Sequence, residues 1–138
     1  IEVIVALTIL GVGLVAVVGA FPTAIQINKN AERGSLASAY ARAKLELIMH
    51  DGYDNITFTS GQSTTTIETK AKISNNPNDP AYTLERQTVA TLVDPENNLN
   101  TTVNGQDKGV KKITVTVYWT DQQKNAQTLT LTSLIAKK

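Results

Sequence analysis

The chain has 138 residues, 13 basic against 12 acidic side chains for a formal net charge of +1, and no cysteine. That length holds one small domain, not two independent cores. The balanced charge gives no general field for nucleic acid or acidic substrates, and no disulfide can staple the fold.

The first stretch, Ile1 to Phe21, carries one charge, Glu2, followed by aliphatics broken only by glycine and Thr8. As a helix, Val3 to Phe21 would span about 28 Å at roughly 1.5 Å per residue, close to the ~30 Å hydrocarbon thickness of a bilayer. A signal-peptide core would be shorter, about 7 to 15 apolar residues behind a basic flank. A plain membrane anchor accounts for the aliphatics but gives Glu2 no task beyond reaching the headgroups. A carboxylate at the mouth of such a helix is costly in lipid unless it reaches the interface or meets a cation.

The order Ile1-Glu2-Val3-Ile4-Val5-Ala6-Leu7-Thr8-Ile9-Leu10-Gly11 resembles the start of mature type IV pilins and type II secretion pseudopilins, where Phe-Thr-Leu-Ile-Glu opens an aliphatic helix. The match begins inside that motif: the family's Phe-Thr-Leu and short basic leader do not precede Ile1, and both are expected to have stood before it. The resemblance implies an assembly role for Glu2, which in the family neutralises the N-terminal amine of the neighbouring subunit. It also implies a bacterial envelope location: inner membrane before assembly, extracellular or periplasmic filament afterwards. The partners it implies are copies of this chain or other pilins joined through the N-terminal helix, an assembly platform and a prepilin peptidase, and the resemblance also implies methylation.

Pro22 ends the apolar run and predicts a kink, since it removes one helical hydrogen bond and clashes with the preceding turn. Gly11, Gly13 and Gly19 weaken the turns before it, and the family resemblance implies local unwinding there inside a filament. Ala16 and Ala20 form a small-xxx-small pair suited to close helix packing. Ordinary membrane-helix packing explains the glycines and the proline equally well.

Beyond Pro22 the chain turns amphipathic. Leu36, Tyr40, Ala43 and Leu47 recur at helical spacing among Lys29, Glu32, Arg33, Arg42, Lys44 and Glu46. This predicts a helix from about Val3 to Asp51 that lays Leu36, Tyr40 and Leu47 on a sheet, stopped by a left-handed cap at Gly52. Ala31, Ala37, Ala39 and Ala41 would leave low surfaces for neighbouring helices, although helix propensity alone also explains them. The expected division is an apolar helix half at 1–28, an amphipathic half at 29–52 and a β-rich head at 53–138.

From Tyr53 the period becomes two. Ile56 to Thr59 is a short strand candidate. Ser63 to Ser74 reads as a strand with Ile67, Ala71 and Ile73 on one face and Glu68, Lys70 and Lys72 on the other. After the turn at 75–80, Ala81 to Val93 reads as a strand with Tyr82, Leu84, Ala90 and Leu92 aligned, and Asp94 to Gly109 as a surface loop. Ile113, Val115, Val117 and Trp119 alternate with threonine and tyrosine, Asp121 to Asn125 turns the chain, and Leu129, Leu131 and Ile135 return as an antiparallel hairpin. That hairpin's wording is similar to the C-terminal hairpin of V-type minor pilins and of the I-type minor pseudopilin. The expected fold is α+β, a long bent helix on an antiparallel sheet of about four strands, and 19 threonines suit its β part.

Catalytic signals are sparse. His50 is the only histidine and falls at a helix end, where it suits the dipole better than base catalysis. No nucleophile triad, metal-spaced cluster or phosphate loop stands out, so no enzyme, cofactor or metal is expected. Asp94, Glu96 and Asp107 could gather around calcium but lack the EF-hand order, and solvated turn acids fit them better. The Asn55-Ile56-Thr57 and Asn100-Thr101-Thr102 glycosylation patterns are short enough to arise by chance in this composition. Three functions follow: a structural filament subunit, a membrane-tethered binding module, and DNA capture by a competence-type pilin. The last is prompted by Lys108, Lys111, Lys112, Lys124, Lys137 and Lys138 and opposed by Asp107, Asp121 and the alternative of a lysine-guarded β edge.

Overall fold

The computed structural model describes residues 1–138 as two compact units, Ile1–Arg33 and Gly34–Lys138. One hydrogen-bonded helix, α1, covers Glu2–Asp51, with Pro22 inside it, and so contributes to both units. In the first unit the helix is long and apolar enough to cross a membrane, and none of its apolar window is buried.

The second unit is an α+β head. Five antiparallel strands follow α1: β1 (Thr64–Lys72), β2 (Glu85–Asp94), β3 (Asn100–Thr101), β4 (Val110–Thr120) and β5 (Ala126–Ala136). The main order is β1-β2-β4-β5, and the two-residue β3 pairs with the end of β2. Ala37, Ala41, Leu45 and Ile48 of α1 share a core with Leu84, just before β2, and with Ala90, Ile113, Val115 and Val117 of the sheet. Burying each large aliphatic there stabilises the head by about 1.5–3 kcal/mol.

The packing face of α1 is rotated from the sequence expectation. Leu36 and Tyr40 are half-buried against the core, but Leu47 is 54% exposed. Ala37 and Ala41, expected to face neighbouring helices, are fully buried on the sheet. Ala37 and Ala41, with Leu45 and Ile48 further along the helix, lie in the same buried cluster as Val115 and Val117 of β4. The helix ends at Asp51 as expected, with the Gly52 amide donating to the Ile48 carbonyl at 3.2 Å. Gly52 does not form the expected left-handed cap. Its φ of 90° and ψ of 170° place it in a region open essentially to glycine alone.

Four strand expectations change, the first being that the 94–109 segment expected as a surface loop contains the two-residue β3. Residues 56–59 are not a strand; a 3-10 turn at Tyr53–Asn55 precedes them. The first part of the expected 81–93 strand is a 3-10 turn, Pro80–Thr83, because Asp79 accepts a hydrogen bond from the Ala81 amide and Pro80 fixes the first turn position. In β1 the inward and outward faces are not those read from alternation. Register irregularities on either side of Glu68 interrupt the period. Glu68 turns toward the helix side, and Ile67 is 39% exposed.

The hairpin agrees with expectation. β4 and β5 pair without a register break from Val110↔Ala136 to Thr120↔Ala126. Its turn is organised by Asp121, whose carboxylate accepts from the Asn125 amide at 2.8 Å and from the Asn125 and Gln127 side chains at 3.1 and 3.3 Å. Asp121 is therefore a largely buried turn residue.

Candidate functional site

The first 21 residues of α1 present an uninterrupted exposed surface. Glu2 lies in the first turn. Thr8, the polar break in the run, donates its hydroxyl to the Ile4 carbonyl at 2.7 Å, which removes its need for an outside partner. A Cβ added at Gly11, Gly13 or Gly19 would meet nothing within 4 Å. Ala16 and Ala20 are likewise exposed. Valine, leucine and isoleucine side chains in this segment are mostly 50–75% exposed, from Val3 to Phe21. So large a continuous apolar surface does not persist in water and calls for lipid or protein around it.

The head holds two polar clusters in its interior. In the first, Arg86 on β2 donates two hydrogen bonds of 2.9 Å to the Glu68 carboxylate. Thr88, fully buried, donates to the same carboxylate at 3.1 Å, and Lys44 of α1 approaches it at 3.6 Å. The Arg86 hydrogen bonds hold the Glu68 carboxyl below its ordinary range against the opposing effect of burial. This arrangement fastens helix to sheet by charge where the aliphatic core ends.

The second cluster closes the loop after the helix. Lys111 on β4 is only 4% exposed and donates to the carbonyls of Tyr53 and Ile56 at 2.8 and 2.9 Å. Its ammonium also lies 3.7 Å from the centre of the Tyr53 ring. The Tyr53 hydroxyl donates to Asp107, whose carboxylate also accepts from the Gly109 amide at 2.9 Å. Burial pushes the Tyr53 hydroxyl up, aided by the Asp107 bond, and pushes the Lys111 ammonium down. For Asp107, burial acts upward but is outweighed by the Tyr53 and Gly109 donors and the Lys111 and Lys137 charges, so its carboxyl is held low.

These clusters redistribute the residues weighed for chemistry. Asp107 belongs to the Tyr53 bond, while Asp94 caps its own turn by accepting from the Glu96 amide at 3.0 Å. No group of three or more His, Asp or Glu is placed to hold a metal. His50 is exposed beside Asp51, 4.0 Å away. Lys111 leaves the basic group read near the C-terminus, because it is buried under the 53–56 turn.

No protein-family model, curated protein or solved structure matches this chain.

The pilin resemblance thus rests on the N-terminal residues and on a compatible architecture, one long apolar N-terminal helix with an antiparallel sheet. Sequence reasoning missed the Glu68–Arg86 and Lys111–Tyr53 pairs. The first joins residues 18 apart and the second residues 58 apart, and neither spacing carries a local signal. Thr88 at an inward position of β2 was the one available hint that this face had a polar neighbour.

Proposed function

We propose that this chain is a structural subunit of a type IV pilin-like filament, held in a membrane by its N-terminal helix before assembly and packed by the same helix in the fibre core. The observation that carries this reading is the exposed apolar surface of Val3 to Phe21 with an acidic residue, Glu2, in its first turn. Aliphatic helices sliding side by side have no preferred axial offset. A carboxylate that must find a cation supplies one, because leaving it unpaired in an apolar fibre costs several kcal/mol. The α+β head then remains outside the fibre core as a folded unit with its own interior.

The competing reading is a membrane-tethered binding module, which uses the same apolar surface but has no use for Glu2. The DNA-capture reading loses Lys111 from its basic group. Negative-stain microscopy of expressing cells, with and without this subunit, separates the first two. Loss or shortening of filaments supports the filament role, and unchanged fibres together with lack of this chain in them favours the tether.

A further inference from the structure

The two edges of the head's main sheet differ. On β1 the edge carries Glu68, Lys70 and Lys72 and two register irregularities, the features that keep an edge from pairing with another chain. On β5 there is no charged residue and no proline from Ala126 to Ala136, and pairing with β4 is continuous along all 11 residues. The lysines read as edge guards, Lys124, Lys137 and Lys138, lie beyond the ends of the strand.

The backbone of β5 can be assigned side by side. Val110 faces Ala136 while the Lys137 amide donates to the Gly109 carbonyl at 2.8 Å, and Thr120 faces Ala126 while the Asp121 amide donates to the Asn125 carbonyl at 2.9 Å. Bonds that flank a facing pair in this way mark it as non-hydrogen-bonded. Alternation then turns the amides and carbonyls of Ala126, Thr128, Thr130, Thr132, Leu134 and Ala136 to the open edge.

We propose that β5 is a pairing surface for a second copy of this chain, which adds its own β5 antiparallel about a two-fold axis through Leu131. This register sets Thr130 opposite Thr132 of the second copy and Leu131 opposite Leu131. Each outward amide and carbonyl meets its counterpart, and no like charges face each other along the strand. Threonine pairs across strands are favourable. The half-buried Leu129 and Leu131 join the same side of an enlarged sheet. A second copy fits because the strand is neutral and carries threonine at Thr130 and Thr132 on either side of its midpoint, whereas the β1 edge would present charges and an irregular register. The contact is isologous and closes as a dimer. It does not depend on the filament reading, since it lies wholly in the head.

The chain has no cysteine, so single cysteines report cleanly in the full chain in detergent micelles. Across the two-fold, residue 131 forms a non-hydrogen-bonded pair with Cα atoms about 4.5 Å apart, within disulfide reach. Leu131→Cys is expected to oxidise to a disulfide dimer at least tenfold faster than Ile67→Cys on β1. Adding Thr130→Pro, which removes an edge-facing amide that makes no bond to β4 and is tolerated on an edge strand, is expected to abolish that advantage. As a check free of the core, sedimentation should show the wild-type chain dimerising at concentrations where Thr130→Lys stays monomeric. Equal cross-linking at 67 and 131, a preferred 131-to-67 link in mixtures, or identical sedimentation of Thr130→Lys would overturn the proposal.

Discussion

Lys111 reaches back from β4 to donate a 2.8 Å hydrogen bond to the carbonyl of Tyr53, 58 residues earlier, with its ammonium over the same residue's ring. This one side chain satisfies the backbone of the turn that leaves the helix and links it to the middle of the sheet. A buried ammonium is tolerated there because two carbonyls and a ring face it.

Lys111→Met keeps most of the apolar stem but orphans the Tyr53 and Ile56 carbonyls. The head is expected to lose roughly 3 kcal/mol, the scale of one or two hydrogen bonds to a charged group. Urea unfolding followed by tryptophan fluorescence at Trp119 checks this. A midpoint within error of wild type would show that the turn does not need the ammonium.

Glu68→Ala leaves Arg86 and the buried Thr88 hydroxyl without their acceptor. A loss of about 2 kcal/mol is expected, below the value for a fully buried pair because the carboxylate is still partly exposed. Lys44→Ala, at 3.6 Å from the same carboxylate, should cost less than about 1 kcal/mol. Thermal melts of both variants test this order, and a larger loss for Lys44→Ala would contradict it.

The pH dependence has a definite sign. Glu68, Asp107 and Asp121 all hold their carboxyls below the ordinary 4.5 and 3.8. A carboxyl lowered by folding stabilises the native state above its unfolded pKa and loses that contribution as pH falls through the lowered value. The head is therefore expected to hold its stability down to about pH 4.5 and to weaken progressively below it. Glu68→Gln should flatten the upper part of that decline. Unfolding midpoints measured from pH 7 to pH 2 give the comparison, and a midpoint that rises on acidification would contradict the assignment.

Much of this architecture is legible in the sequence because burial leaves a period. Val115 and Val117 alternate with Thr114 and Thr116, and the structure buries the valines fully. The helix end at Asp51 is marked by the glycine after it. What is hidden depends on contacts remote in sequence. Period alone puts Ile67 inward, but the irregularities flanking Glu68 turn the carboxylate toward Arg86 instead. Leu47 has the right spacing for a helix face, yet the buried face runs through Ala37, Ala41, Leu45 and Ile48, where two alanines carry no strong apolar signal. Lys111 reads as a surface lysine until Tyr53 is placed above it.

Gly105 offers a local test of the 94–109 loop. Its φ is +67°, and an added Cβ would lie 2.9 Å from the Gln62 backbone nitrogen and oxygen. Its amide also donates to the Ser63 hydroxyl at 3.0 Å. Gly105→Ala is expected to cost about 1–3 kcal/mol and to raise amide exchange around Ser63 and Thr102. Unchanged protection there would show that the loop yields without loss.

In the proposed filament, the Glu2 carboxylate in the first turn of α1 would give the apolar helix a preferred axial position among its neighbours. Glu2→Gln keeps the shape and removes the charge, so the variant should enter the membrane and fold its head as wild type does. Its fraction in sheared filaments relative to the membrane pool is the direct measurement, made with the variant as the only copy. The filament account predicts a drop of at least tenfold. Incorporation equal to wild type would contradict it and leave the helix as a tether alone.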